Sequence, residues 1–261
     1  MIDIHCHILP GIDDGPESQD MSLDMAEIAE KDGIRVIVAT PHTLNGVYLN
    51  RSEEVMSRVQ DLQEAISGKG IRLRVCPGAE NHLCPNMLEH IKRGDAGTIN
   101  NAGKFILLEL PSQSIPNGLK DEIFSLKVAG VTPIITHPER NMVLEHDPEI
   151  LYELVNMGAL IQITAMSLTG EFGELARATS ELMVKNRVAH IIATDAHSNR
   201  TRRPVLSRAV EYAADILGSY DEARQMVSER PDAILRGEMP DIPEPIRTRK
   251  RFRFFVKSKR R

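Results

Sequence analysis

The chain has 261 residues, 41% hydrophobic and 26% charged, which is ordinary globular composition. No apolar run approaches the ~18 residues of a membrane span, nothing reads as a secretory leader, and three cysteines are an odd count that makes no disulfide framework. Net charge is −5 overall, yet residues 247–261 hold nine Lys/Arg and no acid, so the remaining 23 basic and 37 acidic side chains form an acidic body of −14. These features predict a soluble, cytoplasmic protein whose core, lacking tryptophan, is built from aliphatic residues and methionine.

In chain order, a short strand over 2–5 ("IDIH") comes first, followed by a helix over 18–32 with Met21, Met25, Ile28 and Ala29 on one face. A strand over 35–40 ("RVIVAT") leads to a helix over 51–67, where Val55, Met56, Val59, Leu62 and Ile66 recur with helical spacing and Gly68 follows as a stop. Strands are predicted next at 71–76 and 105–110, then a helix at 117–129 carrying Leu119, Ile123, Phe124, Leu126 and Val128. The strand at 132–136 precedes a helix at 147–157, and the strand at 159–164 precedes a helix at 174–187. The last strand, 190–194, is followed by a helix at 203–217. Seven apolar runs alternating with helices predict an α/β fold with a parallel sheet and right-handed crossovers, either an open doubly wound sheet or a single barrel of ~250 residues. One domain over 1–246 and a basic tail over 247–261 complete this reading.

The polar residues collect at the C-terminal ends of these strands. The first run gives His5 and His7, then Asp13 and Asp14 in "GIDDG"; the second gives His42, the third Glu80 and the fourth Glu109. The fifth gives His137, Glu139 and Arg140 in "THPER", and the seventh gives Asp195 and His197 in "TDAH". The sixth ends in Thr164 with no evident ligand. A lone strand-end histidine is more often a hydrogen-bonded structural residue than a ligand. His-x-His on a strand is different, because period two puts both imidazoles on one face. A carboxylate placed after "ILL", like Glu109, costs several kcal/mol to bury without a partner. Parallel strands align their C-terminal ends, so these residues converge on one rim. Five histidines, two glutamates and two aspartates exceed what one ion requires and suit Mn, Zn or Fe, which points to shared, multinuclear coordination.

"DIHCHILPGIDDG", "ATPH", "GAE", "LLEL", "THPER" and "TDAH", in this order, resemble the PHP (polymerase and histidinol phosphatase) superfamily. "HILPGIDDG" and "ATPHTLNGVYLN" resemble its bacterial protein-tyrosine phosphatase branch, linked to capsule and exopolysaccharide synthesis. The resemblance implies a distorted (β/α)7 TIM-like barrel. It also implies three divalent ions, manganese first and iron or zinc as alternatives. His5, His7, Glu80 and Asp195 would hold one ion, Glu80, Glu109 and His137 a second, and Asp14, His42 and His197 a third, with Asp13 supporting them. Arg140 and Arg202 would grip phosphate, Arg200 and Arg203 lying close by. The implied reaction is in-line attack on a phosphotyrosine by a hydroxide bridging two metals. His42, His197 or Asp195 would protonate the leaving group, a phenolate of pKa ~10 that needs little help.

The cysteines support this reading. Cysteine-dependent tyrosine phosphatases need Arg six residues after Cys, but Cys6, Cys76 and Cys84 are followed there by Ile12, His82 and His90. The implied substrate is a membrane-associated bacterial tyrosine autokinase, and members of the family assemble into homo-oligomers. The tail carries Phe252, Phe254 and Phe255 among its basic residues, a composition suited to an anionic membrane surface at the inner face of the membrane. Nucleic-acid binding is not expected from an acidic body without a recognition motif. Rival readings are another PHP phosphoesterase, acting on histidinol phosphate or a nucleotide, and a non-catalytic scaffold of the polysaccharide machinery.

Overall fold

The computed structural model of the chain describes residues 1–147 and 149–247. The tail beyond Arg247, and the membrane contact expected of it, lie outside the described residues. No described helix is long and apolar enough to cross a membrane.

Among the described residues nine strands form: β1 (Ile2–Cys6), β2 (Val36–Ala39), β3 (His42–Thr43), β4 (Arg74–Pro77), β5 (Glu80–His82), β6 (Phe105–Glu109), β7 (Thr132–Thr136), β8 (Leu160–Thr164) and β9 (Ile191–Ala193). All pairings are parallel, in two sheets of order β1-β2-β4 and β3-β5-β6-β7-β8-β9. Seven of them correspond to the expected runs; the two that were not expected, β3 and β5, lie just beyond the second and third runs, where the chain resumes pairing after a break. Pro41 and Pro77 stand at the two breaks and can donate no ladder hydrogen bond. Gly78 closes the gap between them: a Cβ there would come within 2.7 Å of Val38 Cγ1. The breaks place His42 and Glu80 directly opposite each other on the short pair β3–β5. Beyond β9 the chain returns to β1, with Asp195 N–H donating to His5 O (2.8 Å) and His7 N–H donating to Ala196 O (2.9 Å).

Adjacent residues along each strand bury on opposite sides of the sheet, as period two requires. Val38, Leu107, Ile134, Leu160 and Ile191 join one apolar cluster, while Ile37, Leu108, Ile135, Ile161 and Ile192 join the other. The helices cover that second cluster. Gln19–Asp32, Ser52–Gly68, Leu119–Val128, Glu149–Asn156, Glu174–Lys185 and Ser207–Leu217 stand where helical spacing predicted them. In Leu119–Val128 the buried face is Leu119, Ile123 and Leu126, whereas Phe124 and Val128 point to solvent, narrowing the face expected from the sequence. Short helices at Met87–Arg93, Met142–His146, Ala165–Thr169, Tyr220–Gln225 and Glu229–Leu235 were not expected, since none is long enough to show a period.

One buried histidine outside the strand-end cluster makes acid stability testable. His190 Nδ1 accepts the Ile161 N–H (2.9 Å), and Arg230 donates to the His190 carbonyl (2.9 Å). Burial, aided by the Arg230 charge, lowers the imidazole pKa to about 3. The unfolded chain therefore takes up this proton below its ordinary pKa of ~6.5 while the folded chain does not. Stability is full above that pH and falls as pH drops towards 3, by roughly 2 kcal/mol from this group at pH 5. His190→Asn keeps an acceptor but no titration. Denaturant melts at pH 7 and pH 5 should show a smaller loss in the variant than in wild type.

Candidate metal centre

All nine residues expected as ligands stand at one rim of the sheets. His5 is on β1 and His7 just beyond it; Asp14 is in the following loop; His42 is on β3, Glu80 on β5 and Glu109 ends β6. His137 follows β7, and Asp195 and His197 follow β9. His137 and Asp195 adopt φ of +33° and +51°, a region uncommon for residues with a side chain. These sharp turns occur where each strand ends, at the rim of the site.

His5, His7, Glu80 and Asp195 each bring one ligand atom to within 4.8 Å of the others. His5 Nε2 lies 3.3 Å from both His7 Nε2 and Glu80 Oε1, and 3.5 Å from Asp195 Oδ1. His7 Nε2 lies 3.5 Å from Glu80 Oε2 and from Asp195 Oδ1. Ligands at ~2.1 Å from one ion stand ~3–4 Å apart, so separations of 3.3–3.5 Å are of the size that a shared metal ion imposes. A second set is His7, Asp14, His42 and His197, and a third is His42, Glu80 and Glu109. His42 thus stands beside Glu80 (3.0 Å) as well as Asp14 (3.5 Å), while His137 bonds Glu80 Oε1 at 2.7 Å.

Three of the five cluster imidazoles, those of His5, His7 and His197, have Nδ1 held by a neighbouring acceptor. His5 Nδ1 donates to Gln162 Oε1 (2.8 Å), His7 Nδ1 to Asp13 Oδ2 (2.7 Å) and His197 Nδ1 to the Asp195 carbonyl (3.0 Å). With the proton fixed on Nδ1, the Nε2 lone pair of each faces the cluster. Three buried atoms in the cluster, His42 Nδ1, Glu80 Oε2 and His197 Nε2, have no hydrogen-bond partner among the described residues. Such atoms are costly in a protein interior unless something else satisfies them. Cations meet that need, and the donor set of imidazoles and carboxylates suits divalent Mn, Fe or Zn.

Charge balance points the same way. Burial opposes ionisation of Glu80 and Asp195, yet His5 and His137 around the first, and Arg140 with His5 around the second, hold both carboxyls well below the usual range. Burial would push His5 and His7 down, but the neighbouring carboxylates raise both. His197 moves the other way, to about 4, through burial and the His7 charge. A metal ion held by His5 and His7 would therefore compete with protons.

Arg140 and Arg202 stand beside this cluster: Arg140 Nη2 donates to Asp195 Oδ2 (2.7 Å), and Arg202 Nη2 forms an ion pair with the same oxygen (2.7 Å). Arg202 also reaches the Asp195 carbonyl (2.9 Å), which distinguishes it from its neighbours Arg200 and Arg203. A cavity of about 290 Å³ opens here, lined by His42, Glu109, His137, Arg140, His197 and Arg202 among others. Its volume accommodates a phosphoryl group and part of an aromatic ring. The cysteines take no part: Cys6 and Cys76 are buried, and burial raises all three thiols.

Residues 1–236 match the family described as capsular polysaccharide synthesis, CpsB/CapC. The chain belongs to the CpsB/CapC family. It is 37% identical over 257 residues to tyrosine-protein phosphatase YwqE of Bacillus subtilis (strain 168), covering 98% of this chain and 100% of that one. It is also 37% identical over 222 residues to putative tyrosine-protein phosphatase CapC of Staphylococcus aureus, covering 85% and 86%. Among solved structures, one from work on YwqE of Bacillus subtilis and CpsB of Streptococcus pneumoniae, described as metal-dependent tyrosine phosphatases, superposes with a TM-score of 0.91 at 35% identity. That match covers 96% of this chain and 100% of the other. A histidinol phosphate phosphatase from Lactococcus lactis subsp. lactis Il1403 shares the fold, with a TM-score of 0.53 at 12% identity over 84% of this chain and 94% of that one.

Two site residues were not visible as such in the sequence. Gln162, in the strand without an evident ligand, orients His5 across 157 positions of chain. Phe172 lies against both arginines. Partners that orient metal-bound histidines typically contribute 10–100-fold in metal affinity. Gln162→Leu is accordingly expected to weaken metal binding by roughly that factor. Metal titration of the stripped protein checks it, with circular dichroism confirming an intact fold.

Proposed function

We propose that this CpsB/CapC chain is a metal-dependent protein-tyrosine phosphatase acting on a membrane-associated tyrosine autokinase of capsule or exopolysaccharide synthesis. The carrying observation is one rim that joins imidazole and carboxylate ligands to two arginines beside a 290 Å³ cavity. In this reading the cluster takes three divalent ions, manganese first, a reading supported by three groups of donors: His5, His7, Glu80 and Asp195; His7, Asp14, His42 and His197; and His42, Glu80 and Glu109. His5, His7, Glu80 and Asp195 would hold one, Glu80, Glu109 and His137 with His42 nearby a second, and Asp14, His42 and His197 a third. Bound there, such ions supply Lewis-acid stabilisation and a nucleophile available near neutral pH. In the same reading the fold is a distorted (β/α)7 barrel: β2 with β3 and β4 with β5 each count once, and β1 bonds the segment after β9.

The chain's own groups do the rest. Arg140 and Arg202 take the nonbridging phosphoryl oxygens, their charge balancing what accumulates there in the transition state. Leu110 and Pro138 in the cavity wall give the substrate ring apolar contact. His42 and His197, both at the cavity, are placed to pass a proton to a departing phenolate. The deciding experiment compares turnover of a phosphotyrosine peptide and histidinol phosphate by the same preparation, before and after chelation. Chelator-sensitive preference for the peptide supports the reading; preference for histidinol phosphate moves the chain to another phosphoesterase class, and turnover of neither supports the scaffold.

A further inference from the structure

We infer that Phe172 is the positioning residue for the two arginines, a fixed aromatic platform holding both guanidiniums so that they meet one phosphoryl group together. This rests on Arg140 and Arg202 being the phosphate-binding pair. Arg140 Cζ lies 5.0 Å from the Phe172 ring centroid and Arg202 Cζ lies 5.6 Å from it. Both guanidiniums also form ion pairs with the same oxygen, Asp195 Oδ2, each at 2.7 Å. Two cations drawn to one atom repel each other, and the negative face of an aromatic ring gives each a compensating attraction. The Nε–H groups of both arginines are buried without a hydrogen-bond partner among the described residues.

The placement follows from topology. β8 lies between β7 and β9 in the sheet, so the chain leaving β8 passes between the segments that carry Arg140 and Arg202. After the helix Ala165–Thr169 it makes the turn Gly170-Glu171-Phe172-Gly173. Both glycines sit in the left-handed region, with φ of +94° and +95°, and Gly173 N–H donates to Gly170 O (3.0 Å). A turn closed this tightly restricts where Phe172 can point. The strand end that offers no metal ligand thus offers the aromatic instead.

The test compares Phe172→Leu, Phe172→Tyr and Arg140→Ala with wild type in the metal-loaded full chain. Metal content, melting temperature, kcat and KM for a phosphotyrosine peptide, and inhibition by inorganic phosphate are measured for each. Phe172→Leu should keep its metal and melting temperature, with KM and the phosphate inhibition constant raised about tenfold, and Phe172→Tyr should restore both to within about twofold. If Arg140→Ala loses phosphate affinity while Phe172→Leu keeps it, the platform is wrong and the arginine pair stands. If Phe172→Leu loses metal or melts early, or Phe172→Tyr fails to rescue, the ring supports the fold instead. If Arg140→Ala keeps phosphate affinity, the arginine reading falls and the inference falls with it.

Discussion

Glu80→Gln is expected to strip the centre of metal and lower kcat/KM at least ~10³-fold, because one side chain belongs to two of the three donor groups. Glu80 is fully buried, and its two oxygens approach His5 (3.3 Å), His7 (3.5 Å), His42 (3.0 Å) and His137 (2.7 Å), while Thr136 donates to it at 2.8 Å. Glutamine preserves shape and one oxygen but removes the charge that balances bound cations. Its amide would also turn donors towards histidine nitrogens whose lone pairs face inward. Elemental analysis after gel filtration, alongside peptide kinetics, gives the answer. Full metal content with activity within tenfold of wild type would show that Glu80 is not the shared ligand.

The arginines should separate from the metal ligands. Arg140→Ala is expected to retain metal yet lose ~10²–10³-fold in kcat/KM, the range for removing a preorganised donor from charge that develops during reaction. Arg140→Lys should recover little of it, since a point ammonium cannot reproduce the planar fork that bonds Asp195 and still presents donors to phosphate. Because Arg140 also helps keep Asp195 ionised, the ordinary concern is collateral loss of metal. Arg202 shares that oxygen and His5 and His7 flank the other, so Asp195 retains its charge without Arg140. Metal content measured on the same samples decides between these outcomes, and lost metal in Arg140→Ala would merge the two roles.

The order of elements and the rim were legible because they are local or periodic properties. Each strand is a brief apolar run, each long helix shows its period, and parallel pairing forces all strand ends to one side. That logic alone gathers His5, His7, His42, Glu80, Glu109, His137, Asp195 and His197 without any coordinates. The interruptions at Pro41 and at Pro77-Gly78 were less legible. A proline within an apolar run signals a fault in the ladder but does not say which side chain the fault will re-aim. Gln162 and Phe172 were not legible at all: a glutamine inside an apolar strand and a phenylalanine between two glycines carry no chemistry until their partners are known.

The amino-acid sequence by itself determined the parallel α/β architecture, the gathering of imidazoles and carboxylates at one rim, and the lack of an arginine six residues after any cysteine. Only the tertiary structure decided which ligand atoms stand together, which histidine nitrogens face them, and which arginines converge on Asp195. Those are distances between residues tens to hundreds of positions apart, set by strand order, by the turns after β7 and β9, and by the packing of the β8 loop. Periodicity reports the face a residue occupies; it carries no information about what stands opposite.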